Sequence, residues 1–236
     1  MNLIETTVGE LVAQRPGRAR VFEHFGIDYC CGGKKLLAAA CREKGIDLLA
    51  IENAINAADQ EVVAESTNWT TAPISELANH IEQTHHAYLK TELPRLEAKL
   101  KKIASVHADA HPEMVRVFEI FTEFKAELES HMGKEEMILF PLCRRLESAM
   151  APVASHCGSV QNPIRVMIAE HDHAGNALEQ MRALTHDYTA PADACNTFRA
   201  TMHDLEKLEQ DMHQHVHKEN NILFPRAIEA ERVVGV

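Results

Sequence analysis

From Ile74 onward the chain runs in four long stretches whose apolar residues recur every three or four positions, the spacing of a helix that buries one face. The stretches are separated near residues 105–112, 148–163 and 187–192. Stepping alternately by three and four from Met114 gives Val117, Phe121, Phe124, Leu128, His131, Glu135, Ile138 and Leu142. The same steps from Phe198 give Thr201, Leu205, Leu208, Met212, His215, Glu219 and Ile222, so the two series run in register 84 residues apart. Two shorter stripes match them: His86 leads Leu89, Leu93, Leu96, Leu100 and Ile103, and His171 sits among Ile164, Ile168, Gly175, Leu178 and Met181. Within the repeat, HMGKEEMILFP at 131–141 and HVHKENNILFP at 215–225 agree at seven of eleven positions. A duplicated helical hairpin of this kind predicts an all-α, up-down four-helix bundle over 74–236. No segment alternates with period two over the length of a strand, and none is expected.

The first 58 residues read differently. Turn signals at RPGR (15–18), FGIDYCCGG (25–33) and KGID (44–47) cut them into helices of two or three turns, which predicts a small helical domain over 1–58. The polar stretch at 59–73 reads as a linker. The ELP at 92–94 and the two ILFP endings mark where helices are expected to bend.

The chemistry lies in the seam. A His and a Glu four residues on share one helix face. Buried there, an unpaired carboxylate is costly, and such groups are found paired or bound to metal. A lone His on an apolar face is more often a hydrogen-bonded core residue. Four at repeat-equivalent positions, two with a matched Glu, favour metal. His86, His131, Glu135, His171, His215 and Glu219 then converge as four imidazoles and two carboxylates. That set exceeds one tetrahedral zinc shell and suits two metal ions, iron before manganese. With both Glu bridging and one oxide or hydroxide between the ions, each ion keeps an open position for a small ligand. Of the remaining histidines, His80, His85, His173, His213 and His217 flank the seam, as surface residues or as supports behind the ligands. His107, His111, His156, His186 and His203 fall in loops or on outer faces.

A formal charge of −11 with no basic block argues against nucleic acid as a partner. No run of eighteen apolar residues is present, so no membrane span is expected. The first residues lack the layout of a signal peptide. Six cysteines without a disulfide-like pattern fit a reducing cytoplasm. Cys30 and Cys31 are adjacent, which disfavours a bond between them. If KKLLAAACREK is helical from its start, the pair sits near a helix N-terminus with Lys34 and Lys35 close by, a setting that favours reactive thiolates. The other reading is a buried structural pair. Cys41, Cys143, Cys157 and Cys195 stand alone, as packing or surface residues.

The HxxxE spacing resembles the haemerythrin-like fold. Oxygen-carrying haemerythrins place a second His where this chain has Gly175, and an Asp five residues after the last His where this chain has Glu219 at four. With DYCCGGKK, THHAYLKTELP and AEHDHAG added to the two repeated phrases, the chain from about Gly9 to Arg226 is similar to the di-iron repair-of-iron-centres family, the YtfE/ScdA/NorA/DnrN type. The resemblance implies a cytoplasmic non-haem di-iron protein of the nitric oxide and oxidative stress response. It would bind NO or reduce it to N2O, or supply iron for damaged iron–sulfur clusters, with iron–sulfur proteins as partners. A sensor or scavenger of NO or O2 without turnover is the alternative. The resemblance also implies acidic groups beside the metals, matched here by Glu127 and Glu170.

Overall fold

The computed structural model describes residues 3–60 and 67–235; residues 61–66, inside the expected linker 59–73, lie outside the described residues. The chain is all-α: a haemerythrin-like four-helix bundle preceded by a small helical domain. In order, the helices are α1 (Val8–Gln14), α2 (Ala19–His24), α3 (Leu37–Lys44), α4 (Leu48–Gln60), α5 (Ile74–Ile81), α6 (Ala87–Val106), α7 (Glu113–Lys134), α8 (Phe140–Ser148), α9 (Gln161–Leu184), α10 (Asn196–Lys218) and α11 (Phe224–Val233). No strand forms among the described residues; Thr7 and Leu36 make an isolated antiparallel bridge.

Three π-helical turns join neighbouring helices without a break: Glu82–His86 between α5 and α6, Glu135–Leu139 between α7 and α8, and Glu219–Leu223 between α10 and α11. Each carries at least one of the seam's ionisable residues. The ILFP prolines, Pro141 and Pro225, come two residues after their π turns. A proline lacks an N–H and its ring displaces the carbonyl four residues back, so a widened turn just ahead of it absorbs the misfit. Pro94, by contrast, lies inside α6, and the helix runs through it.

The chain divides into two compact units, one of residues 1–78, 143–161 and 213–236, the other of 79–142 and 162–212. In the first, Val8, Leu11, Phe22, Leu37, Ile51 and Ile55 are fully buried and form a core with Val12, Ala19, Ile27 and Tyr29. Thr7 and Glu10 cap α1 reciprocally, as a capping box. Buried Arg18 donates to both carboxylate oxygens of Asp59 at 2.9 and 2.7 Å and to Leu11 O, tying the end of α4 to α1. Those bonds hold the Asp59 carboxyl below its ordinary range. Glu147 accepts from the Ile74 and Ser75 amides, which start α5.

In the second unit the predicted stripes are core: Leu89, Leu93, Leu100, Val117 and Phe121 have no exposure or almost none, and Met114, Phe124 and Leu128 are buried. The regular stepping slips once in the first copy of the repeat. Ile138 is half-buried while Leu139 is buried, because the π turn inserts an extra residue and rotates the following face. Lys99 pairs with Asp204 at 2.5 Å and Arg182 with Glu209 at 2.6 Å.

Candidate metal centre

The seam buries its ionisable residues completely. His86, His215, Glu135 and Glu219 are 0 % exposed, and His131 and His171 are 2 % exposed. Ligand atoms of His86, Glu135, His215 and Glu219 lie within 4.8 Å of one another, and so do those of His131, Glu135, His171 and Glu219. The two carboxylates belong to both groups.

Two hydrogen bonds fix the chemistry of this donor set. His86 Nδ1 lies 2.8 Å from Glu136 Oε1, and His131 Nδ1 lies 2.8 Å from Glu170 Oε2. An ionised carboxylate only accepts, so each Nδ1 carries the proton and donates. Burial alone would raise the Glu136 carboxyl, but bonds from Lys90 and His86 outweigh it and hold it below its usual value. For Glu170, bonds from Lys134 and His131 likewise overcome the effect of burial. In the neutral rings the Nε2 atoms then hold lone pairs, and these lie 3.3 Å (His86) and 3.4 Å (His131) from Glu135 Oε2. His131 Nε2 is also 3.2 Å from His171 Nε2, and His215 Nε2 is 3.0 Å from Glu219 Oε1. Lone pairs aimed at a carboxylate oxygen repel in a low-dielectric interior unless a cation lies between them. The residues present therefore fit a metal.

Glu127 lies exposed at the edge of a small pocket that it lines with Phe124, Leu128, His131, Glu170, His171 and Ala174. Gly175, half-buried on α9, leaves open space where a side chain would project. Glu136 had no signal of its own in the sequence beyond its adjacency to Glu135. His85 is not a surface residue: it is buried, with Nδ1 2.8 Å from Asp211 Oδ1. Asp211 stands at the repeat position of Glu127, a correspondence the 84-residue offset could have exposed.

The cysteine pair sits otherwise than expected. α3 begins at Leu37, so Lys34 and Lys35 precede the helix and the thiols are several residues from its N-terminus. Lys35 pairs with Glu43 at 2.5 Å. Asp28 Oδ1 accepts from the Cys30 and Cys31 amides at 2.9 and 3.0 Å and from Cys30 Sγ at 3.1 Å. The bond with Cys31, burial and the charge of Asp28 all push the Cys30 thiol well above its ordinary value, away from thiolate. All six cysteines are free.

The loop that carries these cysteines is held by the second copy of the repeat. Asn221 Nδ2, in the π turn after Glu219, donates to Tyr29 O and Cys30 O at 3.2 and 3.0 Å. Gly9 and Gly33 make the approach possible: a Cβ on Gly9 would lie 2.6 Å from Asn221 Oδ1. His217 is also buried here, its Nδ1 3.4 Å from Tyr29 O.

Comparison with known proteins accounts for nearly all of the chain. The haemerythrin HHE cation binding domain family matches residues 77–227, and the ScdA_N family, a domain of unknown function, matches residues 4–59. The iron-sulfur cluster repair protein YtfE of Citrobacter koseri is 35% identical over 231 residues, covering 98% of this chain and all of that protein. Its namesake in Musicola paradisiaca is 36% identical with the same coverage, and that of Escherichia coli O157:H7 is 35% identical over 95% of this chain and 97% of its own.

Proposed function

The chain belongs to the haemerythrin-type iron–sulfur cluster repair family, and on that premise we propose that it is a cytoplasmic non-haem di-iron protein that binds and reduces nitric oxide during nitrosative and oxidative stress and supports the rebuilding of damaged iron–sulfur clusters. His86, His131, Glu135, His171, His215 and Glu219 would hold the two irons, with Glu135 and Glu219 shared between them. When bound, the metals would supply the electrons and the open positions for the gas. The observation that carries the reading is the pair of Nε2 lone pairs set against Glu135 by the proton acceptors Glu136 and Glu170.

The protein's own groups do the rest. Glu136 and Glu170 fix the tautomer and orientation of His86 and His131, and raise their basicity toward a metal. Glu127, exposed at the edge of the pocket beside His131 and His171, is placed to pass protons from solvent. Cys30 and Cys31 stay in the proposal as thiols for partner chemistry, with the more accessible Cys31 as the reacting group. Membrane attachment plays no part in it: no helix among the described residues is long and apolar enough to cross a bilayer.

The test is anaerobic. Purified protein should contain two iron ions per chain, and the reduced form, given stoichiometric NO, should release N2O measurable by gas chromatography. Two irons with NO uptake but no N2O would leave a scavenger or sensor in place of a reductase. Iron that passes to an apo-cluster acceptor faster than to buffer would identify a donor.

A further inference from the structure

Within the first compact unit lies a cavity of about 270 Å³ that none of the metal ligands lines. Its walls include Tyr29, Trp69 and Ile222, and its polar groups include Arg20, His217 and Lys218. No Asp or Glu lines it, in a chain whose formal charge is −11. Against such a background a cationic recess selects by charge.

His217 supplies a second observation. Its ring is 5 % exposed, and Nδ1 is occupied on one side, 3.2 Å from Asn221 Nδ2 and 3.4 Å from Tyr29 O. Its Nε2 is buried and has no hydrogen-bond partner. A buried polar atom left unsatisfied is costly, and a native site that keeps one has a use for it. Asn221 has two amide hydrogens and three acceptors within reach, Tyr29 O, Cys30 O and His217 Nδ1. When one hydrogen goes to Nδ1, the proton sits on Nε2, and the cavity gains a donor beside two cations.

A metal ion would want carboxylates or thiolates, and the cavity has none. An apolar molecule would leave Nε2 unsatisfied. We propose that this cavity binds a small organic anion, a carboxylate on a short apolar or aromatic body, with His217 Nε2 and Arg20 meeting the carboxylate and Trp69 and Ile222 the body. The volume lies just below the usual span of ligand sites, which suits a molecule of roughly ten non-hydrogen atoms. The inference does not depend on what the metals do.

Trp69 is the chain's one tryptophan, so its fluorescence reports on this cavity directly. Benzoate serves as the probe and benzyl alcohol as its uncharged counterpart, titrated into the iron-loaded full chain at millimolar concentrations. Benzoate should change the Trp69 emission saturably and benzyl alcohol should not. His217→Ala and Arg20→Met should each weaken benzoate at least tenfold. Arg20 is exposed, so its variant carries the test if His217→Ala does not fold by circular dichroism. An absent or non-saturable response, an equal response to benzyl alcohol, or unchanged affinity in the folded variants would overturn the proposal. So would a change in the iron absorption that follows the benzoate titration and survives in His217→Ala, since the carboxylate would then be reading the metals.

Discussion

The two copies of the repeated phrase share seven residues and diverge in what surrounds them. In the first, 131–141, His131 is braced from α9 by Glu170, and the next residue after the shared Glu, Glu136, reaches back to His86. The position after that, Met137, is 81 % exposed. In the second copy, 215–225, the residues equivalent to Glu136 and Met137 are Asn220 and Asn221, and Asn221 is bonded to the backbone of the cysteine-bearing loop. The duplication preserved the groups that face the seam. It released the outer positions for separate tasks, electrostatic support in one copy and anchorage of the N-terminal domain in the other.

The largest effect should come where the copies are alike. Glu135 and Glu219 are both fully buried, and each belongs to both groups of donor atoms. Glu135→Gln and Glu219→Gln should each cut iron from two per chain to one or none, by metal analysis. The loss should exceed the roughly 10–100-fold drop in affinity typical of removing an outer hydrogen-bond partner. A variant that keeps both irons would show that its copy is not a ligand-bearing half at all.

A smaller effect should follow from writing one copy into the other. Glu136→Asn gives the first phrase the residue of the second and removes the acceptor that holds the His86 proton. Iron retention against a chelator should fall about tenfold, the low end of such effects. The sign with pH is fixed by the direction of the shift. Glu136 is held below its ordinary 4.5, so its contribution to stability is present above that value and is lost as the pH falls through the lower folded one. The difference in stability between metal-free wild type and Glu136→Asn should therefore close below about pH 4.5. A gap that stays constant into stronger acid would mean that Glu136 acts by packing, not charge.

Much of this was legible in the sequence because burial is periodic. The steps from Met114 and Phe198 pick out residues that are nearly all core, and the leucine stripe selects His86 over His85 as the one whose nitrogen approaches Glu135. The π turns were not legible, since one extra residue in a helix leaves no compositional mark and shows only as the slip between Ile138 and Leu139. Glu136, Asp211 and Asn221 were missed for another reason. Each is defined by a partner distant in sequence, at 50, 126 and about 190 residues, and helix periodicity says nothing about such pairs. The thiolate expectation failed on a boundary: Lys34 and Lys35 lie in the turn before α3, where no helix dipole reaches Cys30 and Asp28 already takes its proton.

The smallest effect tests whether the outer position of the second copy does carry the N-terminal domain. Asn221→Ala removes donors to two backbone carbonyls in a part-buried place, and a donor lost from such groups costs about 1–3 kcal/mol. Met137→Ala alters the equivalent residue in solvent and should stay within roughly 0.5 kcal/mol. Urea unfolding of the two variants measures the contrast, and Cys31 gives a second readout. With the Tyr29–Cys30 backbone released, Cys31 should react faster with a thiol reagent in Asn221→Ala and at the wild-type rate in Met137→Ala. Equal stability and equal thiol rates in the two variants would mean that Gly9, Gly33 and the packing of Tyr29 hold the loop without Asn221, and that the divergence of the two copies there has no anchoring role.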